Sequence, residues 1–427
     1  MSKKIAFQTL GCRLNSHETD SLIARFAKAG YEVVPFDQVA DAYVINTCTV
    51  TAKSDRKSRN FINRARKETQ ALVVVTGCYV DNAKDKLEAD GLTYLVENDQ
   101  KAHVFELVDS HFRGETIHPS ALKADRFGFN EDENPLHTRA VVKVQDGCNN
   151  FCTYCIIPHV RGRAVSRKLA DIVDQSERLV KSGFKEIILT GINISRYNEN
   201  GLGFTDVLKA VIAIPGDFRV HIPSMEPENV TDEFIELLAS SKLCNHIHLC
   251  LQTGSDTVLK AMNRKYTVSE YLNIVKRIKE KSPLFNITTD LIVGFPGETD
   301  EDFAQTMEVV KGVGYGHIHT FKYSRREGTP AAKIKEQLPE KLKSERSSKL
   351  RRLSDQLKLS YREELLDLPQ RVLIEKVADG VASGYSEYYV PVHILNSDLS
   401  ENSFIDVTPT RLEDIKGEMV LVADLKQ

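Results

Sequence analysis

Three cysteines stand at C-x3-C-x2-C spacing in Gly147-Cys148-Asn149-Asn150-Phe151-Cys152-Thr153-Tyr154-Cys155. They follow an alternating stretch, Ala140–Gln145, that predicts a strand. Three soft thiolates on a short loop suit three corners of a [4Fe–4S] cube, and no fourth cysteine follows nearby to close the set. Such a cube keeps one iron open for a ligand and for chemistry. A zinc knuckle and buried free cysteines are the competing readings. Zinc favours paired C-x2-C arms with four ligands, and three thiols on one loop fill a core poorly.

The loop resembles the signature of the radical S-adenosylmethionine (SAM) enzymes. The resemblance implies that Cys148, Cys152 and Cys155 are cluster ligands and that Tyr154 lies near the adenine of SAM. It also implies that the open iron chelates the amino and carboxylate groups of SAM. An electron from the cube then breaks a sulfonium C–S bond to give a 5′-deoxyadenosyl radical.

A length of 427 residues predicts about three domains. Hydrophobic content of 41% and charged content of 27% are ordinary for a globular protein with real cores. The longest aliphatic runs, such as Ala71–Val75 and Leu291–Val293, are far too short to span a bilayer. The start passes into a strand without a signal-peptide h-region, so a cytoplasmic protein with no membrane partner is expected. Eight cysteines are too few for a disulfide scaffold, which favours metal or catalytic roles. A net charge of −3 predicts no nucleic-acid partner by itself; only local charge can.

Residues 1–112 alternate strands and helices, as in a small open α/β sheet. Ile5–Leu10 ends in Gly11-Cys12, Tyr43–Asn46 in Thr47-Cys48, and Leu72–Thr76 in Gly77-Cys78. All three cysteines sit just past the carboxyl ends of strands, the edge where open α/β sheets bind ligands. They form a candidate second tri-thiolate set; three unrelated small apolar residues at strand ends are the plain alternative. Thr9-Leu10-Gly11-Cys12-Arg13-Leu14-Asn15 and Asn46-Thr47-Cys48-Thr49-Val50-Thr51 resemble the amino-terminal domain of the methylthiotransferases, a two-cluster radical SAM subgroup. That resemblance implies an auxiliary [4Fe–4S] cluster on Cys12, Cys48 and Cys78 whose open iron carries the sulfur to be inserted.

Between residues 52 and 67 stand seven Lys or Arg side chains against Asp55. An isolated run of this kind is ordinarily a solvated helix face. Following a cluster loop, Arg56, Lys57 and Arg59 become candidate phosphate contacts. Arg161 and Arg163, just after Cys148, Cys152 and Cys155, are expected in the same role, beside a radical centre that would suit a polyanion.

Residues 113–138 read as a linker with Gly114, Pro119, Gly128, Pro135 and an acidic Glu131-Asp132-Glu133. Residues 139–324 repeat strand–helix units, six in number, which predicts a partial (β/α)6 barrel. By the family resemblance, Gly191 and Asn193 hold the methionine end of SAM, Gln252 lies near its ribose, and Val293 and Gly294 pass the adenine. Each glycine alone reads equally as a turn former. His221-Ile222-Pro223-Ser224 and Thr253 depart from the family's usual pattern, and Cys244 and Cys250 are expected to pack in the core.

Residues 325–368 form a connector, with a charged helix over Pro339–Leu366. Residues 369–427 switch to period-two strands, which predicts a small β-barrel. Its position and Gly384-Tyr385-Ser386-Glu387-Tyr388-Tyr389 resemble the TRAM domain, an RNA-binding module. Yet 5 Lys/Arg stand against 10 Asp/Glu there, so any RNA contact is expected to rest on aromatics such as Tyr385, Tyr388 and Tyr389, or on a local basic spot.

The order of the parts resembles the methylthiotransferase branch acting on tRNA. The resemblance implies transfer of a methylthio group to C2 of N6-threonylcarbamoyladenosine at position 37, in the anticodon stem-loop. Two [4Fe–4S] clusters and SAM are the implied cofactors, with a sulfur donor and an electron donor such as a flavodoxin or ferredoxin as partners. A methylthiotransferase for isopentenyladenosine in tRNA, or for an aspartate of a ribosomal protein, is the nearest alternative. A radical SAM enzyme whose second cluster only relays electrons and a zinc-bearing RNA-binding protein are the others.

Overall fold

The computed structural model describes residues 2–67, 70–87, 93–115, 117–129, 138–395 and 398–425. Glu131-Asp132-Glu133 and Pro135 of the expected linker lie outside the described residues. The chain divides into two compact units. The first combines Met1–Leu136 with Lys143–Arg167 and Ser324–Ala332; the second holds His137–Val142, Lys168–Tyr323 and Lys333–Gln427. The 147–155 loop therefore belongs to the same unit as the amino-terminal sheet.

That sheet has five strands in the order Glu32–Val34, Lys4–Thr9, Ala42–Thr47, Leu72–Gly77, Thr93–Val96, every pair parallel. Parallel strands with both faces covered need continuous apolar runs, and Ala42–Thr47 and Leu72–Gly77 are buried at all six positions. Ile5, Leu22, Phe26, Val44 and Val74 fill one apolar cluster, and Tyr43, Ile45, Ile62, Val73 and Val75 fill another. The strand order 2-1-3-4-5 puts its switch point between Lys4–Thr9 and Ala42–Thr47, where doubly wound sheets bind ligands. Helix Ala52–Ala65 starts on Thr51, whose hydroxyl accepts from the Ser54 N–H at 3.1 Å. It buries Ser58, Ile62 and Ala65, one stripe at helical spacing.

In the second unit, strands Arg139–Lys143, Glu186–Thr190 and Arg219–His221 form one three-stranded sheet, and His246–His248, Asn286–Val293 and His317–Lys322 form another. Parallel bridges at Val220–Leu243 and Met225–Leu249 run between them. Helices Leu169–Lys181, Phe204–Ile212, Asp232–Leu237, Asp256–Ala261, Val268–Lys281 and Asp300–Val313 separate the strands. The connector helix, Glu340–Glu363, buries more than its expected apolar side. Leu350 is enclosed, but so are Lys343 and Arg346, the latter donating to both Glu298 and Asp300.

The last segment is a six-stranded sheet: Phe404–Val407, Gln370–Ala378, Val381–Tyr385, Pro391–Leu395, Glu418–Asp424, Arg411–Ile415. Val372, Ile374, Val392, Ile394 and Leu421 form its core, closed by Tyr361 and Leu365 from the end of the connector helix.

Candidate metal centre

Cys12, Cys48 and Cys78 follow strands Lys4–Thr9, Ala42–Thr47 and Leu72–Gly77, three neighbours in the sheet. A small network ties these ends together. Asn15 donates to the carbonyls of Leu10 at 2.8 Å and Thr47 at 3.0 Å. Asn46 donates to the Asn15 carbonyl and to the Thr19 hydroxyl, each at 3.0 Å. Thr47 Oγ1 donates to the Thr76 carbonyl at 2.6 Å and accepts from the Tyr79 N–H at 3.3 Å.

Gly11 has φ +107°, and a Cβ there would stand 2.8 Å from Cys48 Cβ, so only glycine lets these turns approach. Gly77, at φ +95°, is as tight, its Cβ position being 2.4 Å from the Thr47 carbonyl oxygen. Burial pushes the Cys48 and Cys78 thiols up, and mutual repulsion among Cys12, Cys48 and Cys78 adds to it. Three thiols within electrostatic reach of one another is the juxtaposition that the strand-end pattern predicts.

The second set sits on a loop closed by a two-residue antiparallel ladder, Gln145-Asp146 against Val165-Ser166. The Cys148 N–H donates to the Gly162 carbonyl at 3.1 Å, the Asn150 N–H points at Cys148 Sγ at 3.4 Å, and the Cys155 N–H donates to the Cys152 carbonyl at 2.9 Å. None of the eight cysteines is tied up in a disulfide. Cys78 packs against Ile156 and Val160, directly after Cys155, and Asn98 Nδ2 reaches both Cys78 Sγ at 3.6 Å and the Val160 carbonyl at 3.1 Å. The two triplets thus share one unit and one patch of contacts. Three thiols on each side, outside any disulfide, fit two three-thiolate clusters.

Five buried charges lie between them. Glu18 accepts from Lys101 at 2.6 Å, from Lys143 at 2.8 Å and from both terminal nitrogens of Arg161 at 3.1 Å. Asp146 pairs with Lys143 at 2.6 Å and with Arg161 at 3.1 Å. Arg161 also donates to Asn15 Oδ1 at 2.6 Å. Burial opposes the ionisation of Glu18, yet Arg161, Lys101 and Lys143 outweigh it and hold its carboxyl well below the usual range. Three cations face these two carboxylates, and a further, half-buried carboxyl, Asp81, lies within electrostatic reach of Lys101. Burial raises the Cys78 thiol, while Arg161 and Lys101 pull it back towards the thiolate.

This corrects the expectation for Arg161. Its side chain is 1% exposed and committed to carboxylates, so it is an internal strut rather than a phosphate contact. Arg163 is exposed, its guanidinium 4.4 Å from the centre of the Phe151 ring. Arg56, Lys57 and Arg59 are all exposed on helix Ala52–Ala65, and Arg59 donates to the Tyr79 hydroxyl at 3.2 Å. The tyrosines of the last segment are also corrected. Tyr389 stacks on His221 with ring centres 3.7 Å apart, and Arg139 covers both Tyr385 and Tyr389. Tyr385 and Tyr389 are thus engaged in internal contacts, though all three tyrosines, Tyr388 included, remain partly exposed.

Tyr154 lies half-buried in the first unit. The other residues expected near SAM lie in the second, at the carboxyl ends of parallel strands. Gly191 and Asn193 follow Glu186–Thr190. Gln252 adopts a left-handed backbone, φ 70°, and its N–H donates to the Asp290 carbonyl at 2.9 Å. Val293 ends its strand, and the Gly294 N–H donates to Glu298 at 2.7 Å. Sequence reasoning missed Glu18, Lys101, Lys143 and Asp146. Glu18 carried a signal, since it falls in the inward stripe of its helix with Leu14, Ser21 and Leu22.

Two family models match the chain: the Radical SAM superfamily over residues 142–310 and "Uncharacterized protein family UPF0004" over residues 4–96. A radical SAM methyltransferase structure, TsrM from Kitasatospora setae with cobalamin and a [4Fe–4S] cluster bound, shares the fold with a TM-score of 0.55 at 16% identity, covering 90% of this chain and 81% of that one. A three-cysteine loop in such a fold defines a radical SAM protein. Among curated relatives, the threonylcarbamoyladenosine tRNA methylthiotransferase of Bacillus subtilis is 39% identical over 91% of this chain and 89% of its own length. Its namesake from Aquifex aeolicus is 38% identical over 92% of this chain and 100% of its own length. A tRNA-2-methylthio-N(6)-dimethylallyladenosine synthase from Alkaliphilus oremlandii is 34% identical over 88% of this chain and 82% of its length. The chain belongs to the radical SAM methylthiotransferase family, and is most like the threonylcarbamoyladenosine branch.

Proposed function

We infer that this protein adds a methylthio group to C2 of N6-threonylcarbamoyladenosine at position 37 of tRNA, using SAM and two [4Fe–4S] clusters. The observation that carries the reading is the pair of cysteine triplets built into one unit, in a chain matching relatives of that branch over about nine-tenths of its length. Cys148, Cys152 and Cys155 hold the SAM-binding cluster; Cys12, Cys48 and Cys78 hold the auxiliary one. When bound, the clusters and SAM supply the radical, the sulfur and the methyl group.

The chain's own residues do the rest. Asn15, Asn46 and Thr47 fix the three strand ends, so the auxiliary thiols arrive preorganised. Arg161 and Lys101 place positive charge beside Cys78, which favours thiolates over thiols. Gly191, Asn193, Gln252, Val293, Gly294 and Tyr154 bind and orient SAM, while Arg56, Lys57, Arg59 and Arg163 meet tRNA phosphates. The two three-stranded sheets of the second unit read as one partial (β/α)6 barrel, and residues 369–427 as a TRAM-like module. The domain limits proposed are 1–112, 139–324 and 369–427, with 113–138 and 325–368 as linker and connector. A sulfur donor and a low-potential electron donor complete the cycle in the cytoplasm. Among the described residues no helix is long and apolar enough to cross a membrane.

Mass spectrometry of tRNA nucleosides from a deletion strain tests this. The 2-methylthio derivative of threonylcarbamoyladenosine should vanish, its unmodified parent should accumulate, and the gene should restore it. Loss of the 2-methylthio group from isopentenyladenosine instead, or from a ribosomal-protein aspartate, transfers the activity to the corresponding branch.

A further inference from the structure

Strand periodicity gathers a second set of metal-type donors in the other unit. Residues two apart on a strand share a face, and His248 stands opposite Thr288 in register, with Asp290 the next same-face position. Cys250 follows just past the strand end. One ligand atom from each of His248, Cys250 and Asp290 lies within 4.8 Å of the other two. Cys250 is buried in the core as expected. It is 6% exposed, with its sulfur 3.3 Å from the Ser224 hydroxyl.

The geometry points to a site for one borderline divalent cation, of the zinc class, on His248, Cys250 and Asp290. His248 Nε2 and Asp290 Oδ1 are 3.3 Å apart. Zinc bonds of about 2.0–2.2 Å at tetrahedral angles need an edge of roughly 3.4 Å between N and O donors. A nitrogen, a sulfur and an oxygen together select zinc, ferrous iron or cobalt, and disfavour magnesium and calcium, which take oxygen cages.

His248 is also aimed. Its Nδ1 lies 3.1 Å from Thr288 Oγ1, and that hydroxyl lies 3.0 Å from His246 Nε2. When His248 Nδ1–H donates to that hydroxyl and the hydroxyl donates to His246, Nε2 holds the lone pair a metal needs; with no metal bound, the same nitrogen carries a proton for Asp290. Solvent reaches the site past Asp290, whose side chain is 33% exposed. The His319 ring, 5.6 Å from that of His248, stands beyond. Three protein donors leave a fourth corner for water or a substrate oxygen.

The test uses holoenzyme reconstituted anaerobically with its iron, equilibrated with zinc chloride and freed of excess metal. Zinc and iron per chain are counted, and zinc-edge X-ray absorption reads the ligand shell. One zinc per chain without loss of iron, in a shell of one sulfur and otherwise nitrogen or oxygen, is the expected result. Cys250→Ala and Asp290→Asn should each lower zinc affinity at least about tenfold, and Thr288→Val, which keeps every donor, about tenfold through misorientation of His248. Cys244→Ala, at a buried thiol outside the set, should change nothing. The assignment is overturned if wild type retains no zinc, if the shell holds three sulfurs, or if the variants bind zinc as wild type does while keeping their iron and circular dichroism.

Discussion

At the heart of the first unit lie five charged side chains, all but sealed from solvent, beside a buried thiol. Beneath the carboxyl-terminal sheet lie Val372, Ile374, Val392, Ile394 and Leu421, an interior of branched hydrocarbon. The second interior is what stability alone asks for, because burying methyl and methylene groups is favourable without further conditions. The first is not. A buried ion network is frequently matched or bettered by well-packed hydrocarbon of the same volume, so folding does not explain Glu18, Lys101, Lys143, Asp146 and Arg161. Two of them, Arg161 and Lys101, lie within electrostatic reach of Cys78, where positive charge favours a thiolate over a thiol. Surfaces differ in the opposite sense. The helix over Ala52–Ala65 presents exposed Arg56, Lys57 and Arg59, whereas residues 369–427 carry a net charge of −5.

The sharpest way to break this comparison is Glu18→Leu. Three buried cations would keep only Asp146, and the cost should be about 3–5 kcal/mol in chemical unfolding, with loss of bound iron. A near-neutral result would mean the cage is wet or loosely held. Acid should also find the first unit before the sheet. The half-buried His17 ring is pulled down to about 4 by burial, partly opposed by Glu18. The unfolded chain takes up that proton near its ordinary value of about 6.5, so stability should fall between about pH 6.5 and 4, by on the order of 3 kcal/mol. Unfolding midpoints across that range should slope in wild type and flatten in His17→Phe.

For the surfaces, Arg56→Gln, Lys57→Gln and Arg59→Gln together should weaken tRNA binding and reduce the log–log salt slope by about 0.9 for each phosphate no longer neutralised. Binding assays over a salt series read this, and an unchanged slope would make the helix mere solvated surface. The smallest effect belongs to the hydrocarbon interior. Ile374→Val should cost about 1 kcal/mol and leave iron content untouched.

What the chain reveals before it is folded divides along the same line. The cysteines were legible because their meaning is local: three follow strands at one sheet edge, and three share one loop. Six alternating strand–helix units were legible through their apolar runs, within a residue or two at most ends. The short helices Phe204–Ile212 and Asp256–Ala261 were missed. So were strands Val381–Tyr385 and Arg411–Ile415, because a five-residue run such as Arg-Leu-Glu-Asp-Ile has too little alternation to stand out. The charge cage was invisible for a deeper reason. Apart from Lys143 and Asp146, its members come from distant stretches, residues 18, 101 and 161, and no periodicity links partners so far apart. Arg161 looked like a solvent-facing base because its neighbours in sequence are basic, while its partners in space are acids.

The first unit is discontinuous, and this bears on how the protein is made. Glu18 emerges from the ribosome long before Lys143, Asp146 and Arg161, and Asp55 waits longer still for Arg326, which pairs with it at 2.8 Å. The amino-terminal sheet can therefore form early, but its buried charge network is complete only at residue 161 of 427, and the Asp55–Arg326 pair only after roughly three-quarters of the chain has been synthesised. A fragment ending near residue 112 should be soft at its cysteine edge, and the nascent polypeptide would hold its first three thiols exposed to oxygen or stray metal throughout that interval.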